Sequence, residues 1–339
     1  MKVFIIIFVF IYSWTSSGQA SDFEHIDFTK AENIVKLNKG KSLDNLPLLA
    51  HELTSKLETD VEKFRAIYRW VCENISGDYK QHNKVSKKLV DLKNDSLGYI
   101  KWNDEFKKEA FKTLLKDKKT MCTGYAYLIK ELCFIANIEC KIIEGYARSF
   151  ETNVEKLEYV NHSWNVVKLN NKWYLSDATW SSGYMLNGYF FIKDYNDGYF
   201  LTEPILFAKN HFPVHEKWFL NDSLIKNKFE AEPIVYGETF KHQIIPKTPK
   251  KLYTSIPKNE EVVFTFQSLE KIEDKDISLV QVLEKEQKAF KIYNLKNENG
   301  KVSFKYIFKH RGTYDVHLKI KSDIVASYSI KVLKNKTLH

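Results

Sequence analysis

The sequence predicts an α+β domain followed by an all-β, immunoglobulin-like sandwich. Three observations carry this expectation. Apolar residues recur at spacings of three and four in the first part of the chain, as in "TDVEKFRAIYRWVCENI". Two alternating, aromatic-rich runs then meet at Asn170-Asn171, the pattern of a β-hairpin. Beyond about residue 225, short alternating runs follow one another at spacings of roughly ten residues. A chain of 339 residues exceeds the usual size of one hydrophobic core, so two domains are expected, at 21–224 and 225–339.

The chain opens with Lys2, an apolar run from Val3 to Trp14 and small residues ending at Gly18-Gln19-Ala20. This reads as a secretory signal, residues 1–20, cut after Ala20, in preference to an uncleaved membrane anchor, so the mature protein is expected to be exported (secreted or periplasmic), with no integral membrane domain after cleavage. Thr59 and Glu62 stand at capping-box spacing before Val61, Phe64, Ile67, Tyr68, Val71 and Ile75, which predicts an amphipathic helix. Cys72 at the edge of its apolar face reads as a packed thiol. Residues 80–100 are polar and read as irregular. A second helix is expected from Asn103, carrying Phe106, Ala110, Phe111 and Leu114. A third begins near Cys122, buries Tyr125, Leu128, Ile129 and Leu132, and stops around Ala136-Asn137.

"ECKIIEGYARS" has the branched residues of a strand, and "FETNVEKLEY" is a polar loop. "NHSWNVVKLNNKWYLSDATW" is the hairpin, since Asn tolerates the left-handed conformation of tight turns. The sandwich is read from "EEVVFTFQSL", "ISLVQVLEK", "AFKIYNL", "KVSFKYIFK", "TYDVHLKIK" and "IVASYSIKVL". The boundary is placed near 225, with "PKTPKK" as an alternative linker. His310 and His317 stand alone among lysines and read as surface residues.

Composition narrows the classes of function. Apolar residues make up 44% and aromatics 14%, while Gly (12) and Pro (7) are too scarce for a fibrous or disordered chain. The net charge of +9 comes from lysines scattered beside acids, as in "DEFKKEAFKTLLKDKK", which argues against a nucleic-acid stripe. Cys72, Cys122, Cys133 and Cys140 are too few for a disulfide-built scaffold. If one thiol is catalytic, at most one bridge remains, with Cys133 and Cys140 the nearest pair.

Cys122 is the residue with chemical promise. A thiol attacks as thiolate, and the first turn of a helix supplies N–H groups and the positive end of the dipole to stabilise it. Those N–H groups also suit an oxyanion formed on a carbonyl. Gly124 allows close approach of backbone or substrate. In the hairpin, a two-residue turn pairs Leu169 with Lys172, which sets His162 opposite Thr179 and Asp177 diagonally across on the same face. Diagonal neighbours lie about 7–8 Å apart, within reach of an imidazole and a carboxylate. Asp177 would orient His162, and His162 would activate Cys122.

The three blocks "TMCTGYAYLIKELC", "NHSWNVVKLNNKWYLSDATW" and "YFLTEPILFAKNHFPVHEKWFL" resemble, in order, those of the transglutaminase-like superfamily, in its kyphoscoliosis peptidase branch. The matching residues are Cys122, Gly124, Tyr125 and Ala126; Asn161, His162, Trp164 and Asn165; and Trp173, Tyr174, Asp177, Thr179 and Trp180. The segment His211-Phe212-Pro213 with Trp218 resembles the closing block. The resemblance spans about residues 55–222. It implies a papain-like core, a Cys-bearing helix packed on an antiparallel sheet, with Cys122, His162 and Asp177 as triad. It also implies a second oxyanion donor from a Trp or Gln side chain; Trp70, Trp102 and Trp164 stand as the available tryptophans.

The leading expectation is a cysteine-dependent acyl-transfer enzyme acting on protein or peptide amides through a thioester, as a peptidase in preference to a cross-linking enzyme. The alternative is a binding or envelope-assembly module with a retained triad. No cofactor, metal or nucleic-acid partner is expected, since no group has metal-ligand spacing and no calcium loop is visible. Oligomeric state is left open.

Overall fold

The computed structural model describes residues 20–334, except 151, 153, 155, 156, 158, 159, 188, 222–228, 284 and 285. Residues 1–19 of the expected signal segment (1–20) and the expected boundary near 225 lie outside the described residues.

Helices α1 (Thr29–Leu37), α2 (Leu46–Thr54) and α3 (Asp60–Asn74) come first. The capping box forms as its spacing predicts: Glu62 N–H donates to Thr59 Oγ1 at 3.3 Å, and Thr59 N–H donates to Glu62 Oε2 at 3.0 Å. Val61, Phe64, Ile67, Tyr68 and Val71 are buried, on the face the periodicity selects.

Strand β1 (Ser76–Gly77) pairs in parallel with β2 (Lys119–Thr120), and the intervening chain leaves and returns as two helices, α4 (Tyr79–Asp91) and α5 (Ser96–Asp117). This corrects the irregular 80–100 expected from polarity, and the start at Asn103. Asp78 caps α4 by accepting from Lys80 and Gln81 N–H, and Asp95 caps α5 by accepting from Gly98 N–H. The caps set the boundaries, while α4 buries only Gln81 and so leaves little apolar period to read.

Helix α6 (Cys122–Ile135) has the expected start and stop. It packs on the sheet β5-β4-β3-β8, formed by β3 (Cys140–Ala147), β4 (His162–Leu169), β5 (Lys172–Ser176) and β8 (His211–Pro213). The Asn165 amide fastens sheet to helix by donating to the Ala126 carbonyl at 2.9 Å. Asn170 (φ 47°) and Asn171 (φ 63°) form the two-residue left-handed turn, and Leu169 faces Lys172. One expectation fails here. The β4–β5 ladder ends at Asn165–Ser176, so Thr179 does not face His162; Asp177 instead turns the chain into the short helix α7 (Ala178–Ser182). A small hairpin follows, β6 (Gly183–Leu186) with β7 (Phe190–Lys193).

The C-terminal part is a two-sheet sandwich. One sheet orders β10 (Ile244–Thr248), β12 (Glu261–Ser268), β16 (Lys301–Ile307) and β15 (Tyr293–Glu298). The other orders β11 (Tyr253–Pro257), β18 (Asp323–Leu333), β17 (Gly312–Ile320), β13 (Ile277–Leu283) and β14 (Glu286–Phe290), with β9 (Ile234–Val235) also on β18. The facing surfaces meet in one core, where Phe264 stacks on Phe304 at 5.2 Å and edges Tyr328 of the opposite sheet at 5.5 Å. "AFKIYNL" is two strands in two sheets, not one, and "PKTPKK" joins β10 to β11 inside the sandwich. His317 is tied to Ser327 Oγ at 2.6 Å, and His310 is exposed.

The two parts share apolar packing. Val235, Phe240 and Ile245 cluster with Ile143, Trp164, Val166 and Phe207. Phe240 stacks on Tyr199 at 4.2 Å.

Candidate active site

Cys122 is the first residue of α6, and no side chain caps that end, so the positive end of the dipole is left to the thiol. Gly124 has a specific reason: a Cβ there would stand 1.9 Å from Thr120 Oγ1. The glycine therefore lets β2 run beneath the helix head; its neighbour is a side chain, not the backbone or substrate expected from sequence.

His162 opens β4 and pairs with Gly145 of β3. Asp177 is the N-cap of α7, and its Oδ1 accepts from Thr179 N–H (2.8 Å) and Trp180 N–H (3.2 Å). Its Oδ2 accepts from His162 Nε2 at 2.7 Å. The hairpin thus delivers the expected His–Asp couple, but through a helix cap in place of a continued strand. His162 Nε2 is committed to Asp177, which leaves Nδ1 to meet the Cys122 thiol, with which His162 is hydrogen-bonded. The three residues named from sequence are together, Cys122 partly exposed, His162 and Asp177 buried.

The electrostatics favour an ion pair. Burial opposes charge on Cys122, but the hydrogen bond and positive charge of His162, with Ser163 N–H, outweigh it and pull the thiol below its usual range. Burial likewise opposes charge on His162, yet the Asp177 carboxylate and the Cys122 thiolate push the imidazole up to about 10. Asp177 resists its own burial because His162 and His211 hold it well below the carboxylate range.

His211 was not read as a site residue. It lies on β8, buried, with Nε2 3.1 Å from the same Asp177 oxygen. Its only signal in the sequence is its place in the closing block. Trp180 stacks over His162 at 5.0 Å. Of the three tryptophans considered, Trp70 donates its indole N–H to Asn38 O at 2.7 Å and Trp102 stacks on Phe106 at 4.9 Å. Trp164 is buried against Phe207 and His211, its indole N–H unpaired among the described residues. Gln81 was also missed: it is buried in the first turn of α4, and both its amide atoms are unpaired among the described residues. Asp78 N–H bonds Thr120 O at 2.8 Å, which sets that turn beside the strand leading into Cys122.

All four cysteines are free thiols; Cys72 and Cys133 are buried, and burial pushes both well up in pKa. Among the described residues, His162, Asp177 and His211 form the one metal-capable trio, with ligand atoms within 4.8 Å of one another. Hydrogen bonds among the three account for that spacing.

The family model described as "Transglutaminase-like superfamily" matches residues 47–178, a span that holds the Cys122, His162 and Asp177 constellation. Over these residues the chain is similar to a transglutaminase-like domain. The chain is 31% identical to human kyphoscoliosis peptidase over 222 residues, 62% of this chain and 29% of that protein. It is 26% identical to Drosophila melanogaster Hillarin over 57% of this chain and 23% of that protein. With Caenorhabditis elegans Lim and transglutaminase domain protein ltd-1 it shares 26% identity over 58% of this chain and 26% of that protein. The chain thus spans less than a third of the length of these curated relatives. Within it, the matched span supplies Gln81 as well as the triad residues, whereas His211 lies beyond that span.

Proposed function

We propose that the chain is a cysteine-dependent acyl-transfer enzyme acting on protein or peptide amides, with water as the acceptor. The observation that supports this most is the order of groups at the site: thiol at a helix head, imidazole against it, buried carboxylate behind. In the first half-reaction Cys122 Sγ, its proton passed to His162 Nδ1, adds to the carbonyl carbon and the carbonyl oxygen takes the negative charge. The C–N bond breaks as His162 returns the proton to the leaving amine, and a thioester remains. Water, deprotonated by His162, then attacks the thioester, and the C–S bond breaks to restore the thiol and release the acid. First-turn N–H groups of α6 and the Gln81 amide are the proposed oxyanion donors. The name peptidase, carried by the human and mouse relatives, favours water over a lysine amine.

Export is proposed from the apolar leader at Val3–Trp14; no described helix is long and apolar enough to cross a membrane. A mature N-terminus at residue 21, read by intact-mass measurement of the expressed chain, would support it, and retention of Met1–Ala20 would refute cleavage.

Incubation of the purified chain with a proteome digest, with and without a primary-amine probe, distinguishes the acceptors. New peptide termini that vanish in Cys122→Ala support hydrolysis. Probe-labelled glutamines in place of new termini would reassign the enzyme as cross-linking, and neither product would sink the acyl-transfer reading.

A further inference from the structure

Asp177 Oδ2 serves two imidazoles, and only one of them faces the thiol. His162 Nε2 stands 2.7 Å away and His211 Nε2 3.1 Å away, while Oδ1 is taken by two backbone N–H groups. An ionised carboxylate only accepts, so both imidazoles donate from Nε2. Burial keeps His211 neutral, pushing it down to about 4, so its Nδ1 carries a lone pair. The structure sets Asn210 Oδ1 2.7 Å from Nδ1 and Asn210 Nδ2 3.5 Å from the Tyr199 hydroxyl; a lone pair on Nδ1 calls for the reverse orientation of that amide, nitrogen toward the ring. Phe207 stacks on His211 at 3.9 Å and Trp180 lies at 4.6 Å on a tilted plane. These neighbours hold the ring of His211 in place, and the contact with the Asp177 carboxylate sets its Nε2–H tautomer.

We propose that His211 is a positioning residue: a second, fixed N–H donor that keeps Asp177 ionised and aimed at His162. The inference rests on the acyl-transfer reading. A buried carboxylate stripped of one donor titrates higher, because hydrogen bonds to the charged form are what oppose its desolvation. Its neutralisation, moved to higher pH, removes the partner that holds His162 as imidazolium, and Cys122 loses the cation that stabilises its thiolate. The other titratable groups facing Asp177 are Cys72, Tyr68, Tyr125 and Tyr199, all pushed up by burial and so uncharged across the acid range.

The test is the rate of iodoacetamide alkylation at Cys122, followed by peptide mass spectrometry against pH in the full chain. His211→Leu fills the space without a donor, and His211→Gln places an N–H near the position of Nε2. In the Leu variant the acid limb of the alkylation profile is expected to lie about one pH unit higher than in wild type, the scale of one hydrogen bond to a charged group. That variant should converge on wild type toward neutral pH, where Asp177 is ionised with either number of donors. The Gln variant should reverse most of the shift. If the Leu variant does not fold, Asn210→Ala, which frees the His211 ring, should shift the profile the same way by a smaller amount. Superimposable profiles for wild type and the donor-free variants would overturn the proposal while leaving the triad reading intact. So would a pH-independent loss that Gln does not repair, since that marks packing alone. A wild-type Cys122 no faster than a free thiol would instead remove the acyl-transfer reading itself.

Discussion

The residue scale is where charge is decided. Cys122, His162 and Asp177 each sit where burial alone would neutralise them, and each is charged because of the next. His162→Ala is therefore expected to leave the partly exposed Cys122 with no cation, raising its pKa and slowing alkylation near neutral pH by about a hundredfold. Asp177→Asn should fall in the same direction, because an amide presents no charge to the imidazole. Cys72 and Cys133 should label slowest of the four thiols in native protein, a pattern that peptide mapping checks directly. The proposed oxyanion role of Gln81 predicts that Gln81→Ala lowers turnover of a peptide substrate but not alkylation of Cys122, since alkylation builds no oxyanion. Equal loss in both assays would assign Gln81 to packing.

At the scale of elements, what the sequence made legible was whatever repeats or caps. The α3 capping box, the span of α6 and the Asn170-Asn171 hairpin all follow from local rules, and all stand where those rules put them. Helix α4 was missed because its evidence is a single cap residue, Asp78, ahead of a face that buries one polar side chain. The turn at Asp177 was missed for a related reason: its carboxylate both caps α7 and receives His162, and pattern alone sees only a continued strand. His211 enters from a strand far along the chain, through a sheet edge that no local period announces. Thr59→Ala, which removes one half of the capping box, is expected to cost about 1 kcal/mol in chemical denaturation. Gly124→Ala should destabilise the protein although helix propensity alone favours the change, because the added methyl collides with Thr120. A stabilised Gly124→Ala protein would show that the β2–α6 contact is slack.

For the whole molecule, the site titrates as part of the fold. Asp177 is held below its unfolded value, so the stability it contributes is present above that value and is lost as pH falls. His211, depressed to about 4, acts in the same direction: the unfolded chain binds its proton first, and stability drops as pH falls from about 6.5 toward 4. His162, raised to about 10, contributes stability that is complete below its unfolded value and is lost as pH rises through about 10. Denaturation midpoints should therefore peak between these limits, and in His211→Leu the acid flank should become shallower between about pH 6.5 and 4, since one of its two protons no longer binds. The β-sandwich is part of the same accounting. Phe240, fully buried, stacks on Tyr199, whose hydroxyl meets Asn210, which in turn meets His211. Phe240→Ala is expected to cost about 3–5 kcal/mol. The shared cluster also bears on how such a chain can be recombined. A chimaera that grafts a foreign sandwich onto the α+β part must carry Val235, Phe240 and Ile245 with the recipient, because those side chains complete the wall behind Trp164 and Phe207. The crossover point that preserves the site lies within the sandwich, past Ile245, and not at its edge.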